Sequence, residues 1–364
     1  MKIMSKERVE MQQEEKQPKK RKKKYGCLKG FLVLILFLLI IGGVVYGAAH
    51  KMLSNVEREE LTDLDVSQEI LDLKKGMGVT NIALFGVDSR EDEYSNTRSD
   101  AMMVFSFNNK TNQAYLTSVV RDTFAYIDEK HGFEKINHAY AYGGPSLAVS
   151  AINQNFDLDI QKYVTVNFNA VERIINKLGG VEVDVQDYEL QELNRVIAEM
   201  NVEVSGEEAA LIDDIGLQTL NGRQAVAYMR IRKVGNGDYE RMERQRRVIT
   251  LVAQKAFSYN KVKLLGLMND FLPYIQTNLT TNEIIALGTQ LLLSGEREIE
   301  QVQLPQTELS YGEKLSDGLY YLVPTTLEEN VIEWHDKVYG TDRYTPTSGV
   351  MNINQKIINY TGLY

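Results

Sequence analysis

The sequence predicts an α/β protein: an α/β/α layered domain with a central mixed sheet, preceded by a single N-terminal transmembrane helix. Strand-like and helix-like segments alternate along the chain after about residue 76, which is typical of layered α/β domains. Residues 31–49 form a run of 19 residues without a charge, nearly long enough to cross a bilayer. The length of 364 residues, 43% of them hydrophobic, supports one large or two modest domains.

The N-terminus predicts membrane orientation. The basic residues 19–24 directly precede the apolar run, and such a cluster stays cytoplasmic. We therefore predict a cytoplasmic tail over residues 1–27, a transmembrane helix over residues 28–49 and an extracellular remainder. A cleavable signal peptide is disfavoured because the apolar run is longer than a typical signal core. Cys27, the single cysteine, excludes an intramolecular disulfide and is either acylated or an inert thiol.

The net charge of -9 divides unevenly along the chain. Residues 1–30 carry 11 Lys/Arg and 4 Asp/Glu, which leaves 30 basic and 46 acidic residues beyond them. An acidic ectodomain excludes nucleic-acid binding through overall basicity, and the tail is too short for a helix-turn-helix domain. The four histidines lack the spacing of zinc ligands.

The elements follow in chain order. Residues 50–75 indicate a helical or extended stalk, and residues 76–364 an extracellular globular region. Turn-forming residues 108–112 predict that two of the strands form a hairpin. The predicted elements are strands at 79–87, 101–107, 114–120, 163–168 and 181–185, and helices from about 145 to 155 and at 171–178.

Four polar clusters lie at the predicted strand ends, where α/β folds place their sites. In the first, Asp88 and Asp100 flank a loop and can hold Mg²⁺ together with phosphate oxygens, or else serve as loop caps. In the second, Arg121 and Asp122 follow a strand; Arg121 suits a bidentate grip on phosphate, and a structural Arg–Asp pair is equally compatible. In the third, Lys135 either touches phosphate or faces solvent.

The fourth cluster, over residues 230–247, is the densest in arginine. A solvated basic face would not explain why arginine dominates over lysine here, so the cluster indicates bound anions. Arg241 and Gln245 are four residues apart and share one face of a helix that begins near Asp238.

The ordered clusters resemble those of the LytR-CpsA-Psr family over about residues 80–256. They are Gly86, Asp88 and Arg90; Arg98, Ser99 and Asp100; Arg121, Asp122 and Thr123; Lys135, Ile136 and Asn137; Leu220, Gly222, Ala225, Arg230 and Arg232; and Gly237, Asp238, Arg241, Arg244 and Gln245. Val120 stands where the family usually has proline, which predicts a slightly looser Arg121 and unchanged chemistry.

The resemblance implies that residues 76–364 are the extracellular catalytic domain, with core motifs over 80–256 and a C-terminal extension over 257–364. It implies an α/β/α core with a hydrophobic pocket for a polyprenyl chain. It implies a membrane-anchored phosphotransferase that moves a glycopolymer, such as wall teichoic acid or capsule, from undecaprenyl pyrophosphate to peptidoglycan in Gram-positive envelopes. It also implies that Asp88 and Asp100 hold Mg²⁺, or Mn²⁺, and that Asp238 is the catalytic base; Asp238 is equally suited to cap the following helix, and both roles can hold. The residues implied to grip the pyrophosphate are Arg98, Arg121, Lys135, Arg230, Arg232, Arg241 and Gln245, of which Arg98 and Arg121 are also implied to be catalytic.

Two other functions remain open from the sequence. A polyprenyl pyrophosphate hydrolase would use the same arginines with water as the acceptor, and an envelope scaffold or regulator would bind the precursor without turnover. Tyr140 and Tyr142 line a sugar site or, more commonly, pack in the core. The acidic residues 189–214 form a helical insertion near the pocket mouth or, more commonly, a solvated face. Loops such as residues 187–215 carry no readable chemistry, so the sequence does not reveal which polymer is moved.

Overall fold

The computed structural model describes residues 57–62, 64, 66, 68–87, 99–203, 208–259, 275–294 and 299–362. All of them fall within one structural unit, Ala49–Tyr364. Within these ranges no helix is long and apolar enough to cross a bilayer. The predicted tail and transmembrane helix lie outside the described residues, as do Asp88 and Arg98.

Thirteen strands are described, and seven of them form the central sheet in the order β1-β10-β7-β2-β3-β4-β11. The remaining six form three separate hairpins, β5–β6, β8–β9 and β12–β13. The strands are β1 (Glu57–Arg58), β2 (Val79–Val87), β3 (Ser99–Asn108), β4 (Gln113–Val119), β5 (Phe124–Asp128), β6 (Gly132–Lys135), β7 (Lys162–Asn167), β8 (Val181–Val185), β9 (Gly216–Leu220), β10 (Ile275–Thr277), β11 (Ile299–Leu304), β12 (Ser310–Lys314) and β13 (Tyr320–Pro324).

The central sheet is mixed, as the sequence predicts. Strand β2 pairs antiparallel with β3, which pairs antiparallel with β4 across the predicted hairpin turn. Strands β7 and β11 instead run parallel to β2 and β4, respectively. The three central strands are buried along most of their length, because helices cover both of their faces.

The described helices include a kinked one. They are α1 (Gln68–Lys74), α2 (His138–Phe156), α3 (Phe168–Lys177), α4 (Asp187–Glu203), α5 (Gly222–Arg230), α6 (Asp238–Ser258), α7 (Thr281–Ser294), α8 (Leu327–Tyr339) and α9 (Ser348–Thr361). In α2, Gly143 and Gly144 have non-helical backbone angles, with φ of 60° at Gly144. The predicted helix beginning near Pro145 is therefore the second segment of α2, and residues 138–142 add a first segment that the sequence pattern did not indicate.

Apolar side chains on the two faces of the central strands pack in separate clusters. One face contributes Phe85 and Met102 to the main core, which α2 and α8 cover. The opposite face contributes Met103 and Leu116, and Ile249 of α6 packs against them. Helices thus lie on both faces of the sheet.

A second apolar core lies beside the sheet. It joins α3, the β8–β9 hairpin, α4 and α5 with the middle of α6, around Val183, Ile197, Val226 and Val248. Strand β8 alternates buried and exposed side chains, since only one face of its hairpin meets this core. This core holds α4 and α5 in place beside the edge of the central sheet.

The ends of the described chain pack onto the main core. The residues predicted as a stalk contribute strand β1, which pairs with β10, and the buried Ile70 of α1, so the domain begins before residue 76. The predicted C-terminal extension supplies β11 and the buried Trp334, whose indole Nε1 donates a 2.9 Å hydrogen bond to Thr117 Oγ1. The extension therefore completes the same core, as predicted.

Candidate functional site

The predicted site residues lie together at one edge of the central sheet. Because β3 is antiparallel to both β2 and β4, its first residues lie beside the last residues of both neighbours. Asp100 at the start of β3 and Arg121 just after β4 therefore meet at this edge. Helix α3 also begins there, because β7 runs parallel to β2 and ends opposite Val87.

Asp100 is the point on which three arginines converge. Its carboxylate lies 3.1 Å from Arg121 Nη1 and 3.4 Å from Arg232 Nη2. Arg241 Nη2 donates a 2.9 Å hydrogen bond to the Asp100 carbonyl oxygen. Arg232 and Arg241 lie 132 and 141 residues away along the chain, so the fold assembles this cluster.

Arg121 is held from both sides. Its Nε lies 3.2 Å from Asp122 Oδ2, and the other oxygen of Asp122 lies 2.8 Å from Lys135 Nζ. The backbone N–H of Val120 donates to the Leu304 carbonyl at 2.8 Å, a bond that proline could not make. Valine at this position therefore tethers the strand exit to β11, and the expectation of a looser Arg121 finds no support.

Lys135 reaches this place through the β5–β6 hairpin. The hairpin folds back on the segment after β4, where the N–H groups of Ile136 and Asn137 donate to the carbonyls of Thr123 and Arg121 at 2.9 and 3.2 Å. Lys135 is paired rather than facing solvent. These backbone bonds position residues 135–138 beside Arg121.

The start of α6 is built around Glu240. Its carboxylate accepts the Asn236 N–H at 2.9 Å and pairs with Arg244 Nη2 at 2.6 Å. A Cβ on Gly235, whose φ is 67°, would come within 2.0 Å of this carboxylate. Burial alone would raise the pKa of Glu240, but the Asn236 N–H, Tyr188 and Arg244 hold it below its usual range.

Arg244 links α6 to α4. Its Nε lies 2.7 Å from Glu189 Oε1, and both side chains are only 2% exposed. A buried ion pair of this kind has a structural role, because removing Arg244 would leave the buried Glu189 carboxylate without its cationic partner. Of the arginines that carry the family resemblance, Arg244 therefore supports the site instead of facing it.

The arginine cavity, as we name it, is the basic side of the site. It has a volume of about 240 Å³ and carries five cationic and three acidic side chains. Predicted residues Arg230, Arg232, Arg241 and Gln245 all line it. The full lining is Asp100, Phe168, Glu192, Arg195, Val196, Glu199, Met229, Arg230, Arg232, Lys233, Arg241 and Gln245.

One wall of the arginine cavity was missed by sequence reasoning. Glu192, Arg195 and Glu199 of α4 line it, and Arg195 pairs with Glu192 at 2.6 Å and also with Glu199. The hydrogen bond from Arg195 holds the pKa of Glu192 below its usual range. Their spacing of three and four residues marks one helical face, which was the available signal. Residues 187–203 of the acidic segment thus form a helix at the cavity, whereas Asp213 and Asp214 beyond it are exposed.

The Asn137 cavity, as we name it, lies on the other side of Asp100. It measures about 300 Å³ and is lined by Asp100, Arg121, Asp122, Lys135, Asn137, His138 and Leu319. Asp100 is therefore common to both cavities. The structure brings Arg121 and Lys135 to this second cavity, while the other described pyrophosphate candidates line the first.

Three remaining candidates are placed as follows. Asp238 is the first residue of α6, and Gly237 occupies the N-cap position, so the N-cap alternative for Asp238 is wrong. Tyr140 is buried in the main core, as the packing alternative predicts. Tyr142 is 47% exposed and stacks on His131 with ring centroids 4.2 Å apart.

Of the two predicted metal ligands, the structure describes only Asp100, since Asp88 lies outside the described residues. Among the residues that the structure covers, no group of three or more His, Cys, Asp or Glu side chains is arranged to hold a metal ion. Mg²⁺ commonly takes only one or two carboxylates and completes its shell with water and phosphate oxygens. The partly exposed Asp100, at the meeting point of both cavities, fits such an ion.

Comparisons with known proteins identify the family of the chain. The LytR_cpsA_psr family model matches residues 40–337. The chain is 33% identical over 308 residues to the polyisoprenyl-teichoic acid–peptidoglycan teichoic acid transferase TagU of Oceanobacillus iheyensis, with 81% of this chain and 88% of that protein covered. It is 29% identical over 280 residues to the transferase TagT of Bacillus subtilis, with 74% and 83% covered.

A solved structure shares the fold. The crystal structure of B. subtilis TagT aligns with a TM-score of 0.58 and 26% identity, covering 79% of this chain and 99% of that one. The family match spans well over half of the chain, and the relatives are matched over most of their length. The chain belongs to the LytR-CpsA-Psr family.

Proposed function

We propose that this chain transfers an anionic glycopolymer, such as teichoic acid or capsule, from a polyprenyl pyrophosphate carrier to peptidoglycan. The observation that carries the proposal is the convergence of Arg121, Arg232 and Arg241 on Asp100 at the meeting point of two cavities. The names of TagU and TagT, which describe transfer of teichoic acid to peptidoglycan, support it.

Phosphoryl transfer needs mainly positioning and neutralisation of charge in the transition state. The arginine cavity carries two more cationic than acidic side chains, which favours the pyrophosphate. Arg241 is 2% exposed and already ordered by Asp100, so little side-chain freedom is lost on binding. Arg121, from the Asn137 cavity, approaches the same phosphates across Asp100.

A proton must leave the acceptor hydroxyl, and we propose Asp238 as its base. Asp238 is the first residue of α6, three residues before Arg241, and this nearness along the chain to a site arginine supports the proposal. Its place in the first turn also favours a negative charge, because the N-terminus of a helix is electropositive.

We propose Mg²⁺ as the cofactor, held by Asp88 and Asp100. When bound, the ion would neutralise charge on the phosphate oxygens. The arginines that contact Asp100 would then orient the carboxylate as well as the substrate. We also propose that residues 28–49 anchor the chain in the cell membrane with the catalytic domain outside, where peptidoglycan lies.

The test uses the full chain in detergent micelles with Mg²⁺, a polyprenyl pyrophosphate-linked glycan and uncrosslinked peptidoglycan. We expect a phosphodiester-linked product and release of polyprenyl phosphate. Arg241→Ala should slow transfer, whereas Arg343→Ala, which removes a surface pair with Glu329, should not. Absence of transfer by the wild type, or equal rates for wild type and Arg241→Ala, would contradict the proposal.

The same assay separates two other functions. Equal release of polyprenyl phosphate without peptidoglycan would identify a hydrolase. Binding of the lipid-linked glycan without any turnover would identify a scaffold.

A further inference from the structure

The Asn137 cavity differs in charge from the arginine cavity beside it. Its two cationic side chains, Arg121 and Lys135, are matched by the carboxylates of Asp100 and Asp122. Three contacts of 2.8 to 3.2 Å join these four groups, so each of the two cations already has a carboxylate partner. A second anion would find no excess positive charge here, and the cavity suits a neutral, polar ligand.

Asn137 supplies an unused hydrogen-bonding group. The side chain is 4% exposed, and among the described residues its Oδ1 atom has no hydrogen-bond partner. A buried amide oxygen without a partner is unfavourable and uncommon in folded proteins. A hydroxyl group in the cavity would donate the missing hydrogen bond.

His138 lies next to Asn137 on the same wall. Its imidazole is 13% exposed, and its Nδ1 atom lies 3.5 Å from Glu134 Oε2, which restrains the ring. The edge of the ring also packs against Tyr142, with centroids 5.9 Å apart. An imidazole both donates and accepts hydrogen bonds, so it complements a hydroxyl-rich ligand.

From these observations we propose that the Asn137 cavity binds the acceptor sugar of peptidoglycan, with Asn137 and His138 as its hydrogen-bonding residues. The inference rests on the proposed function, because it assigns the second substrate of that transfer to a cavity. The acceptor enters on one side of Asp100 and the pyrophosphate lies on the other. The cavity of about 300 Å³ has room for one sugar ring at the polar wall.

Binding of a short soluble glycan strand from uncrosslinked peptidoglycan tests the proposal without requiring turnover. The full chain in micelles is titrated with this glycan and, separately, with inorganic pyrophosphate. We expect Asn137→Ala and His138→Ala each to weaken glycan binding about tenfold, as loss of one hydrogen bond predicts, with pyrophosphate affinity changed less than about twofold. Pyrophosphate should not displace the glycan.

His131→Ala is the matched control. His131 packs on the same Tyr142 ring but does not line the cavity, so its removal tests whether a loss arises from that packing alone. We expect wild-type glycan affinity for it. Asn137→Ser and His138→Gln replace the alanine variants if thermal unfolding shows that either of those is not folded.

Four results would overturn the inference: no glycan binding by the wild type, wild-type affinity in both cavity variants, an equal loss in His131→Ala, or displacement of the glycan by pyrophosphate. Failure of the proposed function is distinguishable. A chain that binds the glycan through Asn137 and His138 but never transfers polymer contradicts only the function, whereas a chain that transfers polymer without these contacts contradicts only the inference.

Discussion

The two cavities on either side of Asp100 are built from different parts of the chain and differ in how their charges are balanced. The arginine cavity draws its lining from α3, α4, α5 and α6, and five of its side chains are cationic against three acidic. The Asn137 cavity is lined largely by the segment after β4 and the start of α2, with equal numbers of each charge. The excess charge of the first favours an anion, and the paired charges of the second leave hydrogen bonding as its means of recognition.

The largest expected effect is at Arg121, which joins the two cavities. In Arg121→Ala, Asp100 and Asp122 lose the guanidinium between them, and the transferred phosphate loses a cationic partner. We expect the rate of polymer transfer to fall about 10³-fold, as for other arginines that stabilise phosphoryl transfer. Steady-state transfer assays measure this, with Arg343→Ala as the control. A fall in rate of less than about tenfold would show that Arg121 contacts neither the phosphate donor nor the acceptor.

The stability of two variants compares the buried ion pair that supports the arginine cavity with an exposed ion pair on its wall. Glu189→Ala removes the buried 2.7 Å partner of Arg244, which keeps its pair with the partly exposed Glu240, so we expect the free energy of unfolding to fall by about 2 kcal/mol. Glu199→Ala is matched to it, because Glu199 pairs with Arg195 on the same helix but is 54% exposed, and about 0.5 kcal/mol is expected. Denaturant unfolding compares the two. Equal losses of unfolding free energy in the two variants would contradict a structural role for Arg244.

Binding of inorganic pyrophosphate tests directly whether the arginine cavity, and not the Asn137 cavity, binds anions. Arg232→Ala should weaken binding about tenfold at low salt and less at high salt, because the side chain is 44% exposed. Lys135→Ala should change it less than about twofold, since Asp122 already neutralises this lysine. Titration calorimetry at two ionic strengths measures both. A larger loss of pyrophosphate affinity in Lys135→Ala would show that the Asn137 cavity also binds the anion, and the proposed difference between the two cavities would be wrong.

The smallest effect concerns Glu192 in the arginine cavity. The hydrogen bond from Arg195 lowers its pKa, so the pair stabilises the fold above the ordinary carboxyl pKa and ceases to do so as pH falls through the lowered one. Arg195→Ala should therefore cost about 0.5 to 1 kcal/mol near neutral pH, fading below about pH 4. Unfolding followed across this range checks it, with Lys337→Ala as a surface control. A cost that persists in acid would mean that Arg195 acts through packing.

Much of the fold follows from local patterns. Alternating or continuous apolar runs predicted β2, β3, β4 and β8 to within two residues, because side chains on a sheet repeat with a period of two. The turn-rich residues 108–112 predicted the hairpin between β3 and β4, which their antiparallel register confirms. The sequence did not predict that residues 138–142 are helical. The glycine pair that follows them indicates only a break, and it does not indicate the conformation of the residues before it.

The acidic helix α4 shows where sequence reasoning stopped. Its charge suggested a solvated face, yet Glu189 and Glu192 are only 2% and 7% exposed. Each is paired with an arginine, one of them 55 residues away. A carboxylate is buried only when such a partner is present, and a partner on another element cannot be identified from the spacing of residues on one helix.

The sequence by itself determined the family, the positions of β2, β3, β4, β7 and β8 and the residue types of the site, because these depend on local periodicity and on motifs a few residues long. Only the tertiary structure decided on which side of Asp100 each cation lies. Antiparallel pairing brings Arg121 to one side, and the second apolar core positions Arg230, Arg232 and Arg241 on the other. Contacts across more than a hundred residues depend on how whole elements pack, and that packing separates one basic motif set into an anion site and a neutral polar site.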